Sequence, residues 1–131
     1  MAPLLIAAHA ADSAQAPASG AKVVMKHALP AVDFSDSEVT VVEVSYPPKG
    51  ASPSHRHSGL VIVYVLEGEV RSQVEGEPER TYGKGEMFYE PPGHIHVVSR
   101  NASDTKPAKI LAVLIAEKNK PVTIPVPAKG I

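Results

Sequence analysis

Four of the six histidines in this 131-residue chain lie in two short segments, His55-Arg56-His57 and Pro91-Pro92-Gly93-His94-Ile95-His96. Each segment carries a His-x-His pair among residues of β-forming type. On a strand, residues i and i+2 project from the same face, so each pair can converge on one ion. Neutral imidazole is the commonest metal-binding side chain, which makes a divalent transition-metal site the first chemistry to consider. The alternative is a group of hydrogen-bonded core histidines that hold no metal.

Composition removes several other chemistries. The chain has no cysteine, which excludes disulfides, thiolate metal sites and a cysteine nucleophile. Thirteen Lys and Arg against fourteen Asp and Glu leave a formal net charge of −1. The basic residues are scattered, so there is no electrostatic case for a nucleic-acid partner. No apolar run reaches the length of a membrane span; residues 60–66, unexceeded in length, are strand-sized. There is no nucleophile elbow, no Gly-rich phosphate loop and no pair of acids at motif spacing.

The elements that must position the histidines read as strands. Thirteen prolines and nine glycines among β-branched runs favour many short strands over helices. Residues 38–46 alternate, with Val42, Val44 and Tyr46 on one face, and stop at Pro47-Pro48-Lys49-Gly50. Residues 60–67 are almost continuously apolar, which suits a strand covered on both faces. Further strands are predicted over 70–74, 80–82, 87–90, 94–100 and 110–116, with a short edge strand at 22–26. This pattern predicts a single all-β barrel or sandwich over residues 22–117. Exposed strand edges in such a fold favour a homodimer.

The flanks are different. Residues 118–131, punctuated by Pro121, Pro125 and Pro127, are predicted to run extended along the surface. Residues 1–21 are Ala/Ser/Pro-rich without periodicity. They read either as a signal-peptide remnant, with Ala8-His9-Ala10 or Ala14-Gln15-Ala16 as the cleavage site, or as a disordered arm. The first reading predicts a periplasmic or secreted protein and the second a cytoplasmic one.

With its turns and histidines placed, the chain resembles the small single-domain members of the cupin superfamily. The first cupin motif runs Gly, spacer, His-x-His, a short gap, Glu, six residues, Gly; the matching positions are Gly50, His55, His57, Val61 and Gly68. The second runs Gly, five residues, Pro-x-Gly, two residues, His, three residues, Asn. It is matched by Gly85, Pro91, Gly93, His96 and, one place late, Asn101. The resemblance covers residues 39–116 and implies a jelly-roll β-barrel. The departure that matters is Val61, where the family usually places a metal-binding Glu. Counting back from Gly68 and forward from His57 agree on that position, and Glu67 and Glu69 flank the turn instead.

The resemblance implies that His55, His57 and Val61 face the barrel interior and that His96 approaches from the strand after the Pro-Pro-Gly turn. A three-His site with no anionic protein ligand would favour an anionic, bidentate substrate. Within cupins, three-His iron sites resemble those of thiol and diketone-cleaving dioxygenases, so iron-dependent dioxygenation of a small organic substrate is the leading expectation. Imidazole ligation suits Zn, Mn, Ni and Cu as well, and the fold also supports lyases, isomerases and non-catalytic small-molecule binding. His94 is either a fourth ligand or a solvent-facing turn residue. Tyr64, Tyr89 and Glu90 are candidate acid–base groups, each with a bland alternative: a core tyrosine, or for Glu90 a solvated strand end. Val61 and Tyr46 are expected at the substrate pocket, Arg56 on the surface. His9 and His27 have no partner in sequence. Asn101-Ala102-Ser103 matches a glycosylation acceptor.

Overall fold

The computed structural model describes residues 16–127, all of it strand, turn or irregular chain. The expected cleavage sites at Ala8-His9-Ala10 and Ala14-Gln15 lie outside the described residues. Nine strands follow in order: β1 Ser37–Tyr46, β2 His55–Arg56, β3 Leu60–Glu67, β4 Glu69–Val74, β5 Arg80–Gly83, β6 Met87–Glu90, β7 Ile95–Asn101, β8 Ala108–Glu117 and β9 Ile124–Pro125. They form two antiparallel sheets, ordered β1-β8-β3-β6 and β5-β4-β7-β2-β9. Facing each other, the sheets make the jelly roll that the strand pattern and the resemblance imply.

The core lies between the inner faces. Val61, Val63 and Val65 of β3 are at most 2% exposed and meet Phe88, Ile110 and Leu114. The intervening residues of β3 are half-buried, so this central strand is covered on both faces, as its continuous apolar run predicts. The outer strand β1 is less protected, and Val39 and Val41 stand 61% and 57% exposed.

Three features depart from the sequence reading or add to it. Residues 22–26 form no strand and lie mostly exposed; with no ladder partner, a short apolar run cannot satisfy its backbone as sheet. The C-terminal tail is not merely laid on the surface. Its Ile124–Pro125 pairs with β2 as the edge of the second sheet, and Val126 N donates to Ser54 O at 3.2 Å. The ladder between β4 and β7 shifts register between Gln73 and Val74, so Val74 faces His96 while Ser72 faces Ser99 and Val70 faces Asn101. One extra residue on β7 reverses the side-chain parity. That shift lets His96 and the late Asn101 both point inward.

Asn101 is an internal clamp, only 2% exposed. Its Nδ2 donates to the carbonyls of Pro47 (3.1 Å), Lys106 (2.7 Å) and, more weakly, Tyr46 (3.4 Å). Its Oδ1 accepts from Ser103 N at 2.9 Å. This ties the loop after β1 to the loop before β8, and it removes Asn101 as a glycosylation acceptor in the folded chain. Asn101→Ala leaves those carbonyls unpaired and is expected to cost about 2–4 kcal/mol, read as a lowered midpoint in urea denaturation. A change within experimental error would show that the clamp contributes nothing to stability.

Candidate functional site

The two sheets bring the chemistry-bearing residues together from opposite sides. His55 on β2 lies directly across from His96 on β7, with ring centres 5.1 Å apart. The His57 ring, just past β2, is 4.8 Å from that of His55. Val61 does not continue their strand: it sits on β3 in the other sheet, where its cross-strand partner is Glu90 of β6. Both project into the same interior, and so does Tyr46.

Backbone carbonyls set the ring orientations. His55 Nδ1 donates to Pro53 O and His57 Nδ1 donates to Val122 O, each at 2.7 Å. Both rings are thereby held as Nδ1–H tautomers with Nε2 free to accept. Outer hydrogen bonds of this kind are how proteins orient metal-binding imidazoles. The His57 bond comes from the C-terminal tail, whose Thr123 hydroxyl also approaches Nδ1 at 3.3 Å. Ser58 Oγ fixes the same segment by donating to Pro121 O at 2.8 Å.

Glu90 is the residue whose environment the sequence did not reveal. Named from the sequence as a candidate acid–base group, with a solvated strand end as the alternative, it is 5% exposed and wedged between two imidazoles. Its Oε2 is 3.3 Å from His57 Nε2 and its Oε1 lies against His96 Nδ1. Oε1 makes no aligned hydrogen bond, so the His96 contact is one of proximity and charge. His96 Nε2 meets Ser72 Oγ at 2.8 Å. Burial favours the neutral acid, but the two histidines outweigh it and hold the carboxyl down at about 2. Burial likewise pulls His57 down, yet the Glu90 carboxylate and the Val122 carbonyl leave it above its ordinary 6.5. His55, which desolvation dominates, falls below 6.5.

This arrangement is not a closed ligand shell. Among the described residues, no group of three or more His, Cys, Asp or Glu side chains is arranged to hold an ion. His96 has both ring nitrogens on protein partners, and Glu90 occupies the gap between His57 and His96. Three imidazoles and a buried carboxylate oxygen without an aligned donor are nonetheless donor types that suit a divalent ion.

These groups line an interior cavity of about 290 Å³, walled by β-branched and aromatic residues such as Val44, Val63, Phe88 and Leu114. No Lys or Arg lines it. Tyr46 adds a polar corner, its hydroxyl 2.9 Å from both Ser52 Oγ and Ser99 Oγ. The remaining candidates lie elsewhere. Tyr64 and Tyr89 belong to the opposite face of β3 and β6 from Val61 and Glu90. Tyr89 packs on His27 with ring centres 4.3 Å apart. His94 is exposed and lines a larger, open cleft of about 910 Å³ beside residues 27–37. It does not line the cavity that His55, His57 and His96 share.

In the metal-free protein the depressed Glu90 pKa makes a signed prediction. Its contribution to stability is present above about 4.5 and is lost as pH falls from there towards 2. His55 and His57 shift in opposite directions from 6.5, so their contributions to the pH dependence of stability carry opposite signs. The difference in melting temperature between wild type and Glu90→Gln should therefore shrink between pH 4.5 and 2. A difference that stays constant over that range would contradict the buried pairing.

Known proteins extend these observations. A family model described as cupin domain matches residues 42–114. Germin-like protein 12-2 of Oryza sativa subsp. japonica is 29% identical over 116 residues, 81% of this chain and 50% of that protein. Dimethylsulfoniopropionate lyase DddQ of Ruegeria pomeroyi is 36% identical over 61 residues, 46% of this chain and 30% of that protein. Its crystal structure superposes with a TM-score of 0.61 at 26% identity, covering 73% of this chain and 46% of that one. A cupin-like protein from Thermotoga maritima has a TM-score of 0.60 at 21% identity, covering 69% of this chain and 65% of that one, which supports the fold alone. The chain spans half the length of the germin-like relatives it matches. The motifs, the two-sheet architecture and these likenesses agree, and the chain belongs to the cupin family.

Proposed function

We propose that this cupin holds a divalent transition metal through His55, His57 and His96 and acts on a small organic molecule in the adjoining cavity. The observation that carries the reading is the pair of Nδ1–carbonyl hydrogen bonds, which leave two imidazoles presenting Nε2 to the interior. Iron is the first ion to test, followed by Zn, Mn, Ni and Cu. A bound ion of this type supplies Lewis acidity and, for a redox-active metal, electron transfer.

The rest is the work of the chain. The apolar walls exclude water and accept a compact carbon skeleton, while the Tyr46 hydroxyl offers one polar contact. The buried Glu90 and the absence of a lining cationic side chain favour a substrate of low negative charge over the anionic, bidentate one that a carboxylate-free site would favour. The substrate expected here is small, mostly apolar and carries no more than one acidic group.

Dioxygenation remains the first activity to assay. The likeness to the Ruegeria lyase, 26% identical over 73% of this chain, favours elimination as the second. Oxygen uptake with candidate substrates marks the former; product formation without oxygen uptake marks the latter. A metal-free reading is favoured by one observation, that both His96 nitrogens already face protein partners. Metal analysis separates it from the others. Untagged wild type is expected to carry close to one ion per chain, lost in His57→Ala and His96→Ala. A wild type that never takes up a transition metal overturns the proposal.

The tail gives an independent check. A chain ending at Lys120 loses the Val122 carbonyl that orients His57. Its metal affinity is expected to fall about 10–100-fold, measured by competition with a chromogenic chelator. Unchanged affinity would show that this carbonyl does not set the His57 ring.

A further inference from the structure

We propose that Glu90 is the anionic fourth donor to the ion held by His55, His57 and His96, delivered from β6 to the space beside Val61. The inference rests on the metal reading above and adds to it a ligand from a different strand.

The first argument is desolvation. The Glu90 side chain is 6% exposed, and a carboxylate is kept buried only when its charge is paired and its oxygens are satisfied. No Lys or Arg lines the cavity, so no permanent cation of the protein neutralises it. Its oxygens face imidazole nitrogens alone, and Oε1 has no aligned donor.

The second argument is the tautomer. Because His57 Nδ1 donates to Val122 O, its Nε2 is an acceptor in the neutral ring. That lone pair points at Glu90 Oε2, another acceptor, 3.3 Å away. Two opposed acceptors need a cation between them, either a proton or a metal ion. A divalent ion satisfies the imidazoles and the carboxylate together, whereas a single proton serves one contact.

The third argument is register. Val61 and Glu90 are directly opposite on the β3–β6 ladder, and such partners project from one face with Cβ atoms about 4.5–5.5 Å apart. A longer side chain on either strand therefore reaches the same pocket. That equivalence supplies the decisive variant, Val61→Glu/Glu90→Val, which moves the carboxylate back across the ladder.

The experiment uses the whole 131-residue chain stripped with chelator and titrated with Co²⁺, reading stoichiometry, affinity and the visible d–d spectrum, with circular dichroism as the folding control. Wild type is expected to bind one ion. Glu90→Gln should weaken binding by about a hundredfold or more, beyond the 10–100-fold typical of an outer-shell loss, and alter the spectrum. The double variant should recover affinity to within about tenfold of wild type, the scale of a modest geometric mismatch. A folded Glu90→Gln that binds like wild type with the same spectrum overturns the Glu90 assignment and leaves the three-His site standing. Failure of wild type to bind Co²⁺, Fe²⁺ or Zn²⁺ overturns the parent reading instead. Should both variants fail to fold, a crystal structure of Zn²⁺-loaded wild type decides the matter. A Glu90 oxygen about 2.0–2.2 Å from the ion supports the proposal, and a carboxylate turned away refutes it.

Discussion

A charged carboxylate sealed between two sheets is the constraint around which the interior of this protein is organised. Glu90 cannot reach water, and its desolvation is tolerable only because His57 and His96 stand against its two oxygens. Each imidazole is in turn anchored: His57 by a carbonyl of the C-terminal tail, His96 by the Ser72 hydroxyl. The result is a chain of polar contacts in which removing one member strands the next. Buried networks of this kind are specified tightly because an unpaired member in low dielectric costs more than a paired one gains.

The architecture supplies those partners from distant parts of the chain. Glu90 comes from the four-stranded sheet, and His55 and His96 from the five-stranded sheet that faces it. Val122 belongs to a segment after the last long strand. A register shift on β7 turns His96 and Asn101 to the same side despite their odd spacing. The tail that completes β9 thus has two physical roles, closing a sheet edge and orienting a candidate ligand.

Placing a carboxylate inside changes the electrostatic character of the cavity. Three neutral imidazoles and a divalent ion would carry two positive charges; adding Glu90 leaves one. Combined with walls of Val, Ile, Leu and Phe and the absence of lining Lys or Arg, that balance would disfavour polyanions under the proposed metal reading. Cupin family membership sets the scaffold and is compatible with several reactions, so the choice among them rests on this local chemistry.

Much was legible in the residues themselves. The alternation of residues 38–46, the apolar run at 60–67 and the turn glycines located strands and reversals, because those signals are local and encoded in side-chain period and backbone freedom. The spacing of His55, His57 and His96 marked the site, since residues two apart on extended chain share a face. Tyr46 and Val61, expected at a substrate pocket, line the interior cavity. What the residues could not disclose was pairing. Glu90 was a candidate acid–base group or a solvated strand end, and the choice stayed open because nothing in Met87–Glu90 says which strand it will oppose or how deeply it will be covered. Tyr64, Tyr89 and His94 seemed equally available until the ladders assigned them to the other face or to the exposed turn. The sequence by itself determined an all-β cupin chain with three convergent histidines and a missing carboxylate at position 61. Only the tertiary structure decided that a carboxylate enters from the neighbouring strand, because cross-strand register depends on contacts between residues far apart in the chain.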